Sequence, residues 1–175
     1  MKFRYSNEEV KKVIDDCDVI SFDIFDTLLL RPYYEPHDVF RHLERLNDAP
    51  GFYESRKNAE AVARQVYSEK EDICFSQIYE FIEDKYKSLK EKELDLESKI
   101  LFQNQFMKEI YDYCLEKGKK VIIVSDMYLS KDFLENVLKR NGYTGFEKLF
   151  VSSEFGKMKY SGNLFRVFMH VCGNS

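Results

Sequence analysis

Apolar positions along the chain change their period twice. Val19-Ile20-Ser21-Phe22 is a short apolar run that stops at Asp23-Ile24-Phe25-Asp26-Thr27-Leu28-Leu29, where a carboxylate pair and a threonine interrupt it. Such a run predicts a core strand of a parallel sheet, and ligands bind at the carboxyl ends of such strands. Asp23 and Asp26 therefore stand where chemistry is done, although Asp also closes strands as a turn former. Asn7 to Asp16, just before, has helical spacing. From Pro36 to about Lys117 strand-like runs vanish, and Leu, Tyr and Phe recur every three or four residues among Glu and Lys, which predicts helices. Val39, Phe40, Leu43 and Leu46 make one stripe, opened by Pro36 and closed by Pro50-Gly51. Ala59, Ala61, Val62, Ala63, Val66 and Tyr67 make a second. Ser76 is the expected cap of a third, carrying Ile78, Tyr79, Phe81 and Ile82, and a long fourth helix is expected from about Glu91 to Glu116.

Strand character returns at Lys120-Val121-Ile122-Ile123-Val124 and ends in Ser125-Asp126. Ser130 is placed to cap a helix carrying Phe133, Leu134, Val137 and Leu138, which Asn141-Gly142 would stop. A short strand at Leu149-Phe150-Val151 ends in Ser152-Ser153-Glu154, and a last helix is expected from Gly162 to Cys172 with Gly173 past its end. Strands alternating with helices predict a doubly wound α/β core with a helical insert. The expected boundaries are 1–31 and 118–175 for the core and 32–117 for the insert.

Composition narrows the function classes. The 175 residues are 44% hydrophobic and 33% charged, as in a globular protein with a substantial core. No long uncharged apolar run predicts a membrane span, and the stretch from Met1 to Glu9 has no signal-length apolar segment, so a cytoplasmic location is expected. A net charge of −4 with acids and bases mixed gives no broad basic field, which argues against nucleic acid as the main partner. Lys117, Lys119 and Lys120 read as the cover of a helix end. Cys17, Cys74, Cys114 and Cys172 lack zinc or dithiol spacing, and His37, His42 and His170 lack the i, i+4 spacing of a helical metal site. The Phe and Tyr stripes read as packing surface. Oligomeric state is not legible.

The polar strand ends bring Asp23, Ser125 and Lys159 toward one crevice. A carboxylate can act as a nucleophile, and a hydroxyl and an ammonium are suited to holding a phosphoryl oxygen. Phe22-Asp23-Ile24-Phe25-Asp26-Thr27-Leu28 resembles the first motif of the haloacid dehalogenase superfamily of hydrolases. Val121-Ile122-Ile123-Val124-Ser125 resembles its second. Lys159, in Lys159-Tyr160-Ser161-Gly162-Asn163-Leu164-Phe165, fits the motif lysine better than Lys157 does. More narrowly, Ser21 to Leu29, Ser125-Asp126-Met127-Tyr128-Leu129 and Val151-Ser152-Ser153-Glu154 resemble predicted hydrolases that accompany glycosyltransferase or surface-polysaccharide enzymes.

The resemblance implies a Rossmann-like parallel-sheet core with an inserted helical cap, and a hydrolase, phosphatase-type in the first instance, acting on a small phosphorylated metabolite. It implies Asp23 as nucleophile and Ser125, Asp126 and Lys159 as substrate-binding groups, with Thr27 supporting the loop. It also implies Mg²⁺ held by Asp23, the backbone carbonyl of Phe25 and a later acid.

Two departures bear on activity. The phosphatase motif has a second Asp where this chain has Phe25, which cannot transfer a proton. Asp26, one residue on, is the nearest substitute and equally a turn residue. An aromatic residue there is similar to the dehalogenase branch, whose halide leaving group needs no proton. The family's fourth strand, ending in Gly-Asp, does not occur before Gly173-Asn174-Ser175, and no acid follows Glu154. A catalytically impaired or truncated module that acts by binding, and a 2-haloacid dehalogenase-type hydrolase, are the alternative expectations.

Overall fold

In the computed structural model, residues 6–172 are described. The chain enters through α1 (Asn7–Asp15), which opens in a capping box: the Ser6 hydroxyl accepts from the Glu9 N–H and the Glu9 carboxylate accepts from the Ser6 N–H at 2.7 Å. It leads into β1 (Val19–Phe22), followed by β2 (Leu29–Leu30). The insert contains α2 (Asp38–Leu46), α3 (Phe52–Val66), α4 (Phe75–Glu80), a 3₁₀ turn over Asp84–Leu89 and α5 (Lys90–Ile100). Between α2 and α3 the chain reverses at Gly51, whose φ of 88° suits glycine. Then come β3 (Phe102–Gln103), α6 (Gln105–Glu116), β4 (Lys120–Ser125), α7 (Lys131–Arg140), β5 (Lys148–Val151), α8 (Ser152–Phe155) and α9 (Asn163–Cys172). The Gly173 expected beyond the last helix and the first five residues of the amino-terminal stretch lie outside the described residues, as does the side chain of Cys172.

β1, β4 and β5 form a parallel sheet in the order β1-β4-β5. β4 lies in the middle, buried from Val121 to Ser125. Its alternation sends Val121 and Ile123 into the main core, while Ile122 and Val124 join Phe150 and Leu164 on the opposite face, where Val167 and Phe168 of α9 cover them. Because all three strands run the same way, Asp23, Ser125 and Ser152 emerge along one edge.

The fourth expected helix is two helices. α5 stops at Ile100, and β3 pairs antiparallel with β2, Leu29 opposite Gln103 and Leu30 opposite Phe102. The apolar spacing continues through both halves, so periodicity alone hides the break. Asn104 completes it, donating its N–H to the Leu28 carbonyl at 3.0 Å and its side-chain amide to the Thr27 carbonyl at 2.8 Å. α6 then packs against α1 and β4, on the sheet. The third stripe also differs: α4 is capped at Cys74, whose N–H donates to the Gln77 side chain at 2.9 Å. Ser76 lies inside its first turn, and Phe81 and Ile82 follow its end. The Ser130 cap on α7 forms as expected, accepting from the Phe133 N–H at 3.3 Å. Cys114 is a core residue, whereas Cys17 and Cys74 are half-buried.

The insert is organised by a fully buried arginine. Arg56 donates through Nε to both Glu93 oxygens, at 3.0 and 3.1 Å, and through Nη1 to Glu60 at 3.2 Å. The Tyr79 hydroxyl donates to Glu93 at 2.6 Å, and the guanidinium lies 4.5 Å from the Phe40 ring centre and 5.1 Å from that of Tyr128. A buried ion pair costs desolvation, so these bonds are what make the placement tolerable. Among the described residues, no helix is long and apolar enough to cross a membrane.

Candidate active site

The site is built on the turn that follows β1. Ile24 and Leu28 are fully buried and anchor it, while the backbone closes on itself through Leu29 N–H to Ile24 carbonyl and Asp26 N–H to Leu29 carbonyl, both 2.8 Å. Thr27 lies within this turn and is held through its own carbonyl by Asn104. Asp26 is exposed and takes a φ of 55°, a left-handed conformation that Asp tolerates better than most residues. Phe25 is half-buried, its ring centre 4.2 Å from the Arg31 guanidinium. Asp23 is fixed by its own turn: one carboxylate oxygen accepts from the Ile24 N–H at 2.8 Å and faces the Lys159 ammonium at 2.8 Å.

Ser125 ends β4 beside this turn. It is 1% exposed, and its hydroxyl has no hydrogen-bond partner. Buried hydroxyls are nearly always paired, so an orphan at a strand end is suited to a ligand oxygen. Asp126, next in the chain, accepts from the backbone N–H groups of Lys159 at 2.7 Å and Tyr160 at 3.4 Å. The structure therefore brings Asp23, Ser125, Asp126 and Lys159 together around one strand edge, with Asp126 holding the segment that carries Lys159.

Two acids that sequence reasoning missed complete this support. Glu71, between α3 and α4, accepts from the Met158 N–H at 2.8 Å, the Ser161 hydroxyl at 2.7 Å and the Asn163 side-chain amide, and Lys157 approaches it at 3.9 Å. These bonds, the Met158 N–H first, hold its carboxyl down to about 2. Lys157 thus faces Glu71 and Lys159 faces Asp23. Asp72, 3% exposed, accepts from Arg64 at 2.8 Å and from the Ser152 hydroxyl, which itself accepts from the Met127 N–H at 2.7 Å. Both acids sit in an unremarkable charged stretch, Glu69-Lys70-Glu71-Asp72, that carries no local signal of such partners. Glu154 caps the start of α7 by accepting from the Lys131 N–H at 3.2 Å.

A cavity of about 260 Å³ adjoins the turn, with Phe25, Asp26, Arg31, Glu97, Asp126 and Tyr128 in its wall. A cleft of about 300 Å³ near Cys74, Lys90 and Ser130 has no residue of the Asp23 turn in its wall. Glu97, on α5, is 2% exposed and one of its oxygens has no hydrogen-bond partner; the Arg31 Nε is likewise buried and unpartnered. Burial pushes the Glu97 carboxyl up to about 7, against the pull of Arg31 and Arg56 and with a contribution from Glu93. Sequence reasoning missed Glu97 as well.

Asp23 is engaged by an ammonium and an amide, and among the described residues no three His, Cys, Asp or Glu side chains converge on one point. The expected Mg²⁺ donors, Asp23 and the Phe25 carbonyl, both belong to the turn after β1.

No family model and no curated protein sequence matches the chain. Solved structures do. L-2-haloacid dehalogenase from Xanthobacter autotrophicus with chloropropionic acid covalently bound is similar with a TM-score of 0.57 at 14% identity, over 89% of this chain. The structure of that enzyme without the adduct gives 0.56 at 15% identity over the same share. The fold is that of a haloacid dehalogenase. The chain spans 65% of the length of those dehalogenase chains. At this identity the likeness is one of fold and does not reach the polysaccharide-associated subgroup.

Proposed function

We propose that the chain is a haloacid dehalogenase-type hydrolase acting on a small phosphate monoester, with residues 32–117 as the cap over its site. The observation that carries this reading is the Asp23 carboxylate held 2.8 Å from the Lys159 ammonium at the end of a central-sheet strand. An Asp23 oxygen attacks phosphorus, the ester P–O bond breaks, and the departing oxygen takes a proton from an acid or solvent at the site, which the water of the next step returns, and leaves as the alcohol. Water then attacks the aspartyl-phosphate, releasing inorganic phosphate and restoring the carboxylate. Lys159 and the unpartnered Ser125 hydroxyl hold phosphoryl oxygens as charge develops on them. The test is phosphate release from sugar and nucleotide phosphates, with and without added Mg²⁺, by the chain and by Asp23→Asn. A fall of at least about 10³-fold is expected on losing the nucleophile. Equal release by both proteins overturns the assignment.

A second reading is favoured by Phe25, which puts an arginine-stacked ring where a proton donor would stand. The same nucleophile attacking the carbon of a 2-haloacid would expel halide, which needs no proton. Chloride release from 2-chloropropionate, without phosphate release from the esters, would select it. Release of neither product would leave a binding module.

A further inference from the structure

The cavity that Phe25, Asp26 and Asp126 line, one turn on from Asp23, contains a carboxyl group that the chemistry above leaves unused. Glu97 is almost wholly buried in its wall, with one oxygen satisfied by no group of the protein. Leaving such an oxygen unpaired is costly, and native proteins rarely do so without a ligand or a task. We propose that Glu97 is the general acid of the phosphate-ester reaction, delivered from α5 of the helical insert in place of the proton donor absent at Phe25. This rests on the phosphoryl-transfer reading above.

The surroundings suit the task. Glu93 precedes it by one turn on its own helix. Arg56 and Glu60 face it from α3, and Arg31 faces it from the segment after β2. His37, at the start of α2, Asp26, in the turn after β1, and Asp126 and Tyr128, after β4, share the cavity, and Tyr33 faces Glu97 from the segment before α2. Burial raises the Glu97 carboxyl to about 7, toward the range in which a group can serve as acid and then as base. As the ester P–O bond breaks, the departing oxygen takes the Glu97 proton and leaves as an alcohol. In the second half, the Glu97 carboxylate takes a proton from the water that attacks the aspartyl-phosphate, so the group ends as it began.

The experiment uses two substrates with the full chain. p-Nitrophenyl phosphate releases a stable anion and needs no acid, whereas glycerol phosphate releases an alkoxide. Glu97→Gln is expected to lower kcat on glycerol phosphate by about 10²- to 10⁴-fold and the nitrophenolate burst by less than about tenfold. The wild-type rate on glycerol phosphate is expected to fall as pH rises through about 7, with no such limb in the variant. The wild-type limb is a readout that needs no variant. Equal losses on both substrates, or a leaving-group-selective loss in Asp26→Asn and not in Glu97→Gln, overturn the assignment while the nucleophile reading stands. If wild type turns over neither substrate, or Asp23→Asn keeps its activity, the phosphoryl-transfer reading fails and the Glu97 assignment falls with it.

Discussion

Replacing Glu97 by Gln should reshape the pH dependence of stability, by an amount that burial sets. The carboxyl stands at about 7 in the folded chain against an ordinary value of 4.5. A raised folded value means that the native state binds the proton more tightly than the unfolded chain does. The stabilisation is therefore complete below about 4.5 and is lost as pH rises through 7. One unit corresponds to about 1.4 kcal/mol, so the loss approaches about 3 kcal/mol by pH 8. Gln cannot ionise, has nearly the same volume and presents an amide to the same cavity. The gap between variant and wild type should thus move by about 3 kcal/mol in the variant's favour between pH 4.5 and 8. Urea unfolding followed by circular dichroism at half-unit pH steps measures it, and taking the difference cancels every titration the two proteins share. A gap constant to within about 0.5 kcal/mol across that window would show that Glu97 is solvated and would refute the burial argument.

Arg56→Met should destabilise by about 3 to 5 kcal/mol because it strands the buried Glu93, and adding Glu93→Leu should recover much of that loss; chemical denaturation in a double-mutant cycle checks both. Glu71→Gln should loosen the segment from Met158 to Asn163 and lower kcat/KM by about 10- to 10²-fold through misplacement of Lys159. Glu71 has a lowered value of about 2, so its contribution is present above about 4.5 and lost as pH falls toward 2; steady-state kinetics on the variant and an acid unfolding series measure the two effects.

What the sequence shows is local. The ends of β1, β4 and β5 are legible because each apolar run stops at a polar residue, and a parallel sheet places such ends side by side. The α5 to α6 break is not, because both helices keep the same spacing and the intervening strand has two residues. Glu71 and Asp72 are illegible for a different reason: their partners lie far along the chain, Met158 and Ser152 among them, and no local pattern encodes them. Glu97 did leave a trace. Glu93 and Glu97 are four apart and share the helix face of Leu89 and Leu96, so they occupy core-facing positions in a segment whose charge suggests a solvated surface.

The position of these acids constrains how the site works. The strand ends supply Asp23 and Ser125, but the insert supplies Glu71, which clamps the lysine segment, Asp72, which pins Ser152 and through it the Met127 N–H, and Glu97 in the cavity wall. The Glu71 and Asp72 ties run from insert carboxylates to the segments at the sheet edge, so movement of the insert relative to the sheet would alter the lysine segment and the Met127 corner together. A carboxylate also exchanges one hydrogen-bond donor for another at little net cost in free energy, unlike a packed apolar contact. Glu71 holds the segment that carries Lys159, so an insert substitution remote from Asp23, such as Glu71→Gln, should change catalysis more than it changes stability.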